Sequence, residues 1–455
     1  MRQSSEVQYD RMMNTPIPRL VMSLALPTIL STMITVIYNT ADTYFVSQIN
    51  KSASAAVGAV FSIMSVIQAV GFGFAMGAGS LISLKLGEKD NRAADTYCAT
   101  GFFCAVVLGA LIGILGLCFL EPILRLLCSP TMIPHARSYA AFILIAAPIS
   151  CSTFVLNNVL RAQGQARLAM WGMMLGGGVN MVLDPFFIFD FGLGMGAGGA
   201  ALATAISQCV SFSILLSFFL RGKSIVSIHP RYISRVFGDY TKIVLTGIPT
   251  VCRQGLGSIA AAVLNIQAVA YGCGDDALAS AATIANKIYM LTRNFLIGLG
   301  QGFQPVAGYN YGAGNRHRAW LSFRFATVVG SLFSAVAAIL IALFRAPIMD
   351  WMSNDPGVIR LGSEMLLYLS AVIPVLAFST FVNQLAQCLG FKLSATLLAS
   401  CRQGFFFLPA IYILPLFMGS HGVLASQAVA DGVTFAVSVP FLVWFYRKYM
   451  QEKTL

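Results

Sequence analysis

The sequence predicts an all-α integral membrane protein, with twelve transmembrane helices in two pseudo-symmetric six-helix bundles related as a parallel repeat. Three observations carry that prediction. Hydrophobic residues make up 57% of the 455-residue chain and charged ones only 10%, far below the ~25% charged of a soluble domain. The apolar residues gather into twelve runs, each long enough for the roughly 20 helical residues that cross a bilayer. The motifs of the first six runs then return, in order, in the last six.

The runs lie at about 19–46, 55–83, 95–119, 136–161, 167–189, 198–221, 242–270, 278–306, 319–345, 359–387, 396–416 and 422–446. Several exceed a straight span, which implies tilt or extension beyond the bilayer. An even number of crossings puts both termini on one side. That side carries Arg11 and Arg19, Lys85, Lys89 and Arg92, Arg161 and Arg167, Arg221 to Lys242, Arg316 and Arg318, Lys392, Arg447, Lys448 and Lys453. The other side, with loops at 271–277 and 346–358, has Lys51, Arg125, Arg137, Arg345 and Arg360. Basic residues favour the inner side of a membrane, so both termini are expected in the cytoplasm. All four Trp (Trp171, Trp320, Trp351, Trp444) fall at predicted span ends, where interfacial anchors sit.

The same pattern excludes several function classes. The net charge of +12 is spread over short loops rather than clustered on a soluble segment, so no nucleic-acid partner is expected. The ten Cys, among them Cys98, Cys104, Cys118, Cys209 and Cys401, lie mostly within apolar runs without ligand spacing and read as small fillers. The four His pair with no His or carboxylate at i, i+4, so no zinc centre and no metal cofactor are expected. There is no P-loop and no soluble domain to hold a nucleotide. A lipid-modifying enzyme would need paired catalytic His, Asp or Ser near an interface, and none is present; the chain reads as no enzyme. Residues 1–18 are polar and the first run exceeds a signal's core, so no cleavable leader is expected.

The repeat is legible residue by residue. Ala25-Leu-Pro27-Thr28 recurs as Gly247-Ile-Pro249-Thr250. Gly73 to Gly79 with Leu86-Gly87 recurs as Gly298 to Gln304 with Tyr311-Gly312. Pro148 with Ser152 to Asn157 matches Pro374 with Ser379 to Asn383, and Gly196-Ala-Gly-Gly199 matches Gly419-Ser-His-Gly422. Residues 1–221 then form an N-terminal lobe of spans one to six, 222–241 a cytoplasmic linker, and 242–455 a C-terminal lobe of spans seven to twelve. Prolines within spans (Pro27, Pro148, Pro185, Pro249, Pro305, Pro374, Pro409, Pro415) supply kinks.

Span five holds the strongest functional signal. Asn180 and Asp184 are four residues apart and share a helix face. Gly176 to Gly178 one turn earlier let a neighbouring helix approach closely, and Pro185 removes a backbone donor just after the acid. A carboxylate inside a bilayer costs roughly 2.5–3.5 kcal/mol on insertion scales and normally faces an interior cavity. An ion or proton site is expected; a hydrogen-bonded structural carboxylate at a kink is the other reading. Asp42, near the outer end of span one, falls at matching depth. Two carboxylates there cannot both ionise cheaply unless a cation bridges them.

These motifs resemble the multidrug and toxic compound extrusion (MATE) transporters. The resemblance rests on Leu26-Pro27-Thr28, Tyr38-Asn-Thr-Ala-Asp42, Leu160-Arg161-Ala-Gln-Gly164, Gly178-Val-Asn180 with Leu183-Asp184-Pro185, Gly196 to Thr204, and Gly300-Gln301-Gly302-Phe-Gln304-Pro305 with Gly308-Tyr-Asn310-Tyr-Gly312. It covers both halves and is closest to the bacterial branch with its ion site in the N-terminal lobe. It implies a V-shaped pair of bundles in a bacterial plasma membrane, exporting amphipathic or cationic small molecules against Na⁺ or H⁺, and the chain is expected as a monomer. Asp42, Asn180, Asp184 and Thr204 match that branch's ion site, and Tyr38 and Asn157 its polar neighbours. The family's other branch has carboxylates in spans seven and ten; here span seven offers Arg253, and span ten only Glu364 near its outer start.

Among the other charges within spans, Arg253, Lys287, Arg293 and Asp431 read as buried. Lys287 and Asp431 fall at similar depth and read either as a neutralising structural pair or, for Lys287, as a gating or anion-contacting residue in the cleft, with Arg253 and Asp431 as other cleft candidates. Secondary active efflux is the functional expectation; export or flipping of an endogenous lipid-linked or peptide-like molecule is the alternative.

Overall fold

The computed structural model describes residues 2–49, 51–189, 192–272 and 277–450; Lys453 and residues 273–276 of a loop used above lie outside them. The twelve spans run Ile17–Ser47, Lys51–Gly87, Asn91–Cys118, Ile133–Ala162, Ala166–Ile188, Ala197–Leu220, Phe237–Ala270, Ala277–Gly312, Arg316–Met352, Pro356–Cys388, Lys392–Met418 and Ser420–Phe445. Most overrun the apolar stretches by a turn or more, because helix propensity carries past the hydrocarbon. Among the described residues nine helices are long and apolar enough to cross a membrane by composition. Spans five, seven and eight are not among them. They carry the polar load: Asn180 and Asp184, Arg253 and Gln254, and Lys287, Arg293 and Gln304 respectively.

Side-chain size shows which way the spans face. Span nine buries Ser322, Ala326, Gly330, Ser334 and Ala338 and exposes Val328, Leu332, Val336 and Leu343 on its other side. Its counterpart in the first half, span three, buries Ala94, Cys98, Gly101, Ala105 and Gly109 and exposes Val107, Leu111 and Ile114. Small residues inside and large apolar ones outside is the arrangement of helices solvated by lipid. Spans four and ten are the most buried of the apolar set, so each half is built around the same member of the repeat.

The repeat extends to atomic detail. Asn157 Nδ2 of span four donates to the Ala169 carbonyl of span five at 2.9 Å, and Asn383 Nδ2 of span ten to the Ala395 carbonyl of span eleven at 2.7 Å. Ahead of spans six and twelve, Gly196 has φ +57°, ψ −134° and Gly419 φ +55°, ψ −133°, a region open essentially to glycine alone.

The halves meet along two symmetric seams, span one on span eight and span two on span seven. Gly302 lies against the Ala25 backbone, Gly298 against Ile29, Gly77 against the Ile243 carbonyl and Gly247 against Gly73, with no room for a side chain at any of them. Thr28 Oγ1 donates across the seam to the Gly298 carbonyl at 2.9 Å, and Arg161 of span four to Gln301 of span eight. These approaches fall in the half of the membrane nearer the termini. Gly58 near the far end of span two and Gly255 midway along span seven border open space, and the two bundles form a V that is closed, through these seams, on the terminus-bearing face.

A helix over Arg2–Asn14 lies on that closed face. Ser5 reaches Asn91 and Gln8 the Gly164 carbonyl in the first half; the Met12 and Thr15 carbonyls accept from Asn310 and Arg318 in the second. The connection between the halves is extended, with one 3₁₀ turn at Pro230–Tyr232. It adheres to the first half: the amides of Ile225 and Ser227 donate to Gln163 at 2.6 Å and Asp95 at 2.7 Å. Span seven begins at Phe237, five residues ahead of the apolar run that signals it.

Candidate functional site

Span five draws its neighbours in through glycine. Gly176 faces Ser207 and Ser211 of span six, and Gly177 faces Ile34 and Tyr38 of span one, each at a distance that leaves no space for a methyl group. One turn on, the polar side chains of three helices converge. Asn180 Nδ2 donates to Asp184 Oδ1 at 3.0 Å and to Thr204 Oγ1 at 3.4 Å. Asp184 is fully buried and Asn180 nearly so. Asp42, one turn beyond Tyr38, lies within electrostatic range of Asp184 and of Tyr38.

Three oxygens of this cluster, Asp42 Oδ1, Asn180 Oδ1 and Asp184 Oδ2, are buried and without a hydrogen-bond partner. Leaving a buried acceptor unmet costs about 1–3 kcal/mol, more where it is charged. All the available ligands are oxygens, the set that hard cations take. Among the described residues no three His, Cys, Asp or Glu come together as they would for a transition metal. Two carboxylates with neutral oxygen donors fit a small monovalent cation or protons.

Tyr38, Asp42, Asn180, Asp184 and Thr204 are thus brought together as expected. Asn157 is not. Its amide is spent on Ala169, about 22 Å along span five from Asp184 at 1.5 Å per residue, where it fastens spans four and five just as Asn383 fastens ten and eleven. Tyr139 of span four takes the place expected for it: buried, and within electrostatic range of both Asp42 and Asp184. Its depth, six residues into span four from the far face, was the available signal.

The second half carries a different cluster. Asp431 Oδ1 accepts from Arg402 Nε at 2.7 Å and from Gln427 Nε2 at 3.0 Å; Oδ2 accepts from the Tyr289 hydroxyl, which also accepts from Arg402. Asp431 therefore pairs with Arg402, not with Lys287. The reason is helical phase. Lys287 and Tyr289 stand two residues apart, on nearly opposite faces of span eight; Tyr289 points inward and Lys287 is exposed. Arg402 sits in a π-helical turn, Cys401–Phe406, within span eleven. Arg253 and Arg293 interact electrostatically with each other and with Arg402. Thr204 and Gln427 occupy equivalent places, each eight residues past the paired glycines (196 to 204, 419 to 427). The repeat thus sets an acidic cluster in one half against a basic one in the other.

Comparison with known proteins agrees with this architecture. A family model described as MatE matches residues 27–186 and again 249–413, once in each half. The multidrug export protein MepA of Staphylococcus haemolyticus is 26% identical over 429 residues, covering 94% of this chain and 93% of that protein. MepA of Staphylococcus aureus (strain N315) is 24% identical over 442 residues, covering 97% and 96%. A crystal structure of MATE in complex with MaL6 superposes with a TM-score of 0.90 at 25% identity, over 95% of this chain and 96% of that one. The outward-facing conformation of a multidrug resistance MATE family transporter of the MOP superfamily gives 0.89 at 26% identity, with the same coverage. With the family model matching most of the chain in two tandem halves, and the V of twelve helices shared end to end, the chain belongs to the MatE family of membrane transporters.

Proposed function

We propose that this chain is a secondary active multidrug exporter that moves amphipathic small molecules out of a bacterial cell in exchange for Na⁺ or H⁺, working as a monomer. Residues 1–221 and 242–455 are its two lobes, 222–241 their cytoplasmic connection, and both termini face the cytoplasm, as the distribution of Lys and Arg favours. Asp42 and Asp184 take up the coupling ion, with Asn180 and Thr204 as neutral oxygen donors and Tyr38 and Tyr139 closing the pocket. The observation that carries this reading is the set of three buried oxygens without partners, drawn from spans one and five. Filling them with positive charge removes the repulsion between the carboxylates and lets those spans close on one another. Exchange follows when ion and cargo prefer different arrangements of the halves, since a ligand with equal affinity for both shifts nothing. The relatives' names, as multidrug export proteins, support the broad cargo.

The test is export from proteoliposomes. With the purified chain reconstituted, a panel of fluorescent amphiphiles is followed under a Na⁺ gradient alone and then under a proton gradient alone. One gradient is expected to drive export, and to fail in Asp184→Asn. If neither gradient moves any compound, ion-coupled export is wrong. Movement that is indifferent to both gradients and to Asp42 and Asp184 favours the flipping of an endogenous lipid-linked molecule instead.

A further inference from the structure

The basic cluster of the second half has no part in the ion exchange, and its charge does not balance. Arg253 of span seven, Arg293 of span eight and Arg402 of span eleven come from three different helices and act electrostatically on one another. Each stands toward the middle of its span rather than at an interface. Against these three guanidinium groups stands Asp431, and both of its oxygens are engaged by Arg402, Gln427 and Tyr289. Arg293 lies one turn from Tyr289 on the same helix face, yet its Nε is buried and has no hydrogen-bond partner. A buried guanidinium N–H left unmet at this depth is expensive, and charged side chains inside a membrane that face the protein interior mark ligand pathways. The surroundings suit a ligand with an apolar part. Phe435, one turn from Asp431, stacks edge to face on Phe378 with centroids 5.4 Å apart. Gly257, one turn from Arg253 on the same face, borders open space.

We propose that Arg253 and Arg293, with Arg402 positioned by Asp431 and Tyr289, form a head-group site for an amphipathic anion, a carboxylate, sulfonate or phosphate carried on an apolar body. Guanidinium groups bind such oxyanions in bidentate fashion, and their fixed charge repels cations from the same space. The cargo class this half recognises is then anionic, in place of the cationic class that the family resemblance implies. This rests on the export reading above for its meaning as cargo, but binding and export are separable by experiment.

Three probes with one fluorescent body decide it: dansylglycine (anionic), dansylglycinamide (neutral) and dansylcholine (cationic). Binding to the purified full-length chain in detergent is read by fluorescence polarisation, and export by proteoliposomes under both gradients. The anion is expected to bind at least tenfold more tightly than either partner. Arg253→Gln and Arg293→Gln are each expected to weaken it tenfold or more without changing the neutral probe, and Arg293→Lys to recover part of the loss. Unchanged gel-filtration profiles identify the variants that fold, and Arg253→Gln serves where Arg293→Gln does not. Equal binding of the three probes, or an anion affinity indifferent to both arginines, overturns the proposal. Preferential anion binding with no gradient-driven export of any probe upholds the site and sinks the exporter; export of the neutral or cationic probe without anion preference does the reverse.

Discussion

Asp431→Asn keeps the shape of a side chain and removes its charge, so its cost reads the electrostatics of the second half directly. In the native protein the carboxylate meets Arg402 Nε at 2.7 Å and Gln427 Nε2 at 3.0 Å, accepts from Tyr289, and is nearly inaccessible. Removing it leaves three neighbouring guanidinium groups with no counter-charge. Breaking a buried ion pair from one side costs about 3–5 kcal/mol, and the upper part of that range is expected here. Arg402→Gln is milder, at about 1.5–3 kcal/mol, the worth of charge-assisted hydrogen bonds, because Asp431 still faces Arg293, Tyr289 and Gln427. The double variant removes both charges together and is expected to cost less than the sum of the singles by more than about 1 kcal/mol. Lys287→Ala, on the exposed face of the same span eight, is expected to stay within about 0.5 kcal/mol of the native protein. Reversible unfolding in mixed SDS micelles measures all four. Additive singles, or a Lys287→Ala variant as damaged as Asp431→Asn, would refute the pairing.

Other outcomes follow from the same geometry. Asp42→Asn and Asp184→Asn are each expected to lower gradient-driven export more than tenfold while insertion and gel-filtration behaviour stay native, because removing a like charge from a crowded pair relieves repulsion; export at the native rate with native ion dependence would remove that residue from the site. Gly196→Ala and Gly419→Ala are expected to destabilise the protein by about 1–3 kcal/mol each, and by equal amounts, since their φ and ψ agree within 2°; unequal costs in micelle unfolding would show that the two turns bear different loads. Cysteines placed singly at 222–236 are expected to react with a membrane-impermeant reagent only after the cells are opened, and those at 353–355 in intact cells; the reverse pattern would invert the topology.

The span count was legible in the sequence because lipid leaves no other place for apolar runs of this length. The repeat was legible because identical backbone tasks demand identical residues: Gly196 and Gly419 at a turn only glycine makes, Asn157 and Asn383 at the same interhelical bond. The family resemblance that sets Asn157 beside the ion site does not separate a residue serving the fold from one serving the chemistry, and here its amide serves the fold. Asn180 and Asp184 could be found from one helix alone because they are i, i+4 neighbours. Arg402 could not. Its partner lies on another span, and depth by itself matched Asp431 to Lys287, which lies on the wrong face of its helix. The helix over Arg2–Asn14 was invisible for a related reason: its polar stretch has no apolar period, and its partners lie far off in the chain, Gln8 donating to the Gly164 carbonyl and the Met12 carbonyl accepting from Asn310.

The seams between the halves set the mechanics of the molecule. Gly302 on Ala25, Gly298 on Ile29, Gly77 on Ile243 and Gly247 on Gly73 are contacts of main chain on main chain, and a main chain has no alternative rotamer with which to yield. Such a joint resists sliding, because any axial shift drives a neighbouring side chain into the space a glycine leaves. It also has no soft half-open form, because dispersion falls away within an ångström of separation. The halves therefore part like a stud fastener, both seams at once, and the depth of that grip, summed over two symmetric rows, acts as a threshold that any ligand favouring the parted arrangement must exceed through its differential affinity.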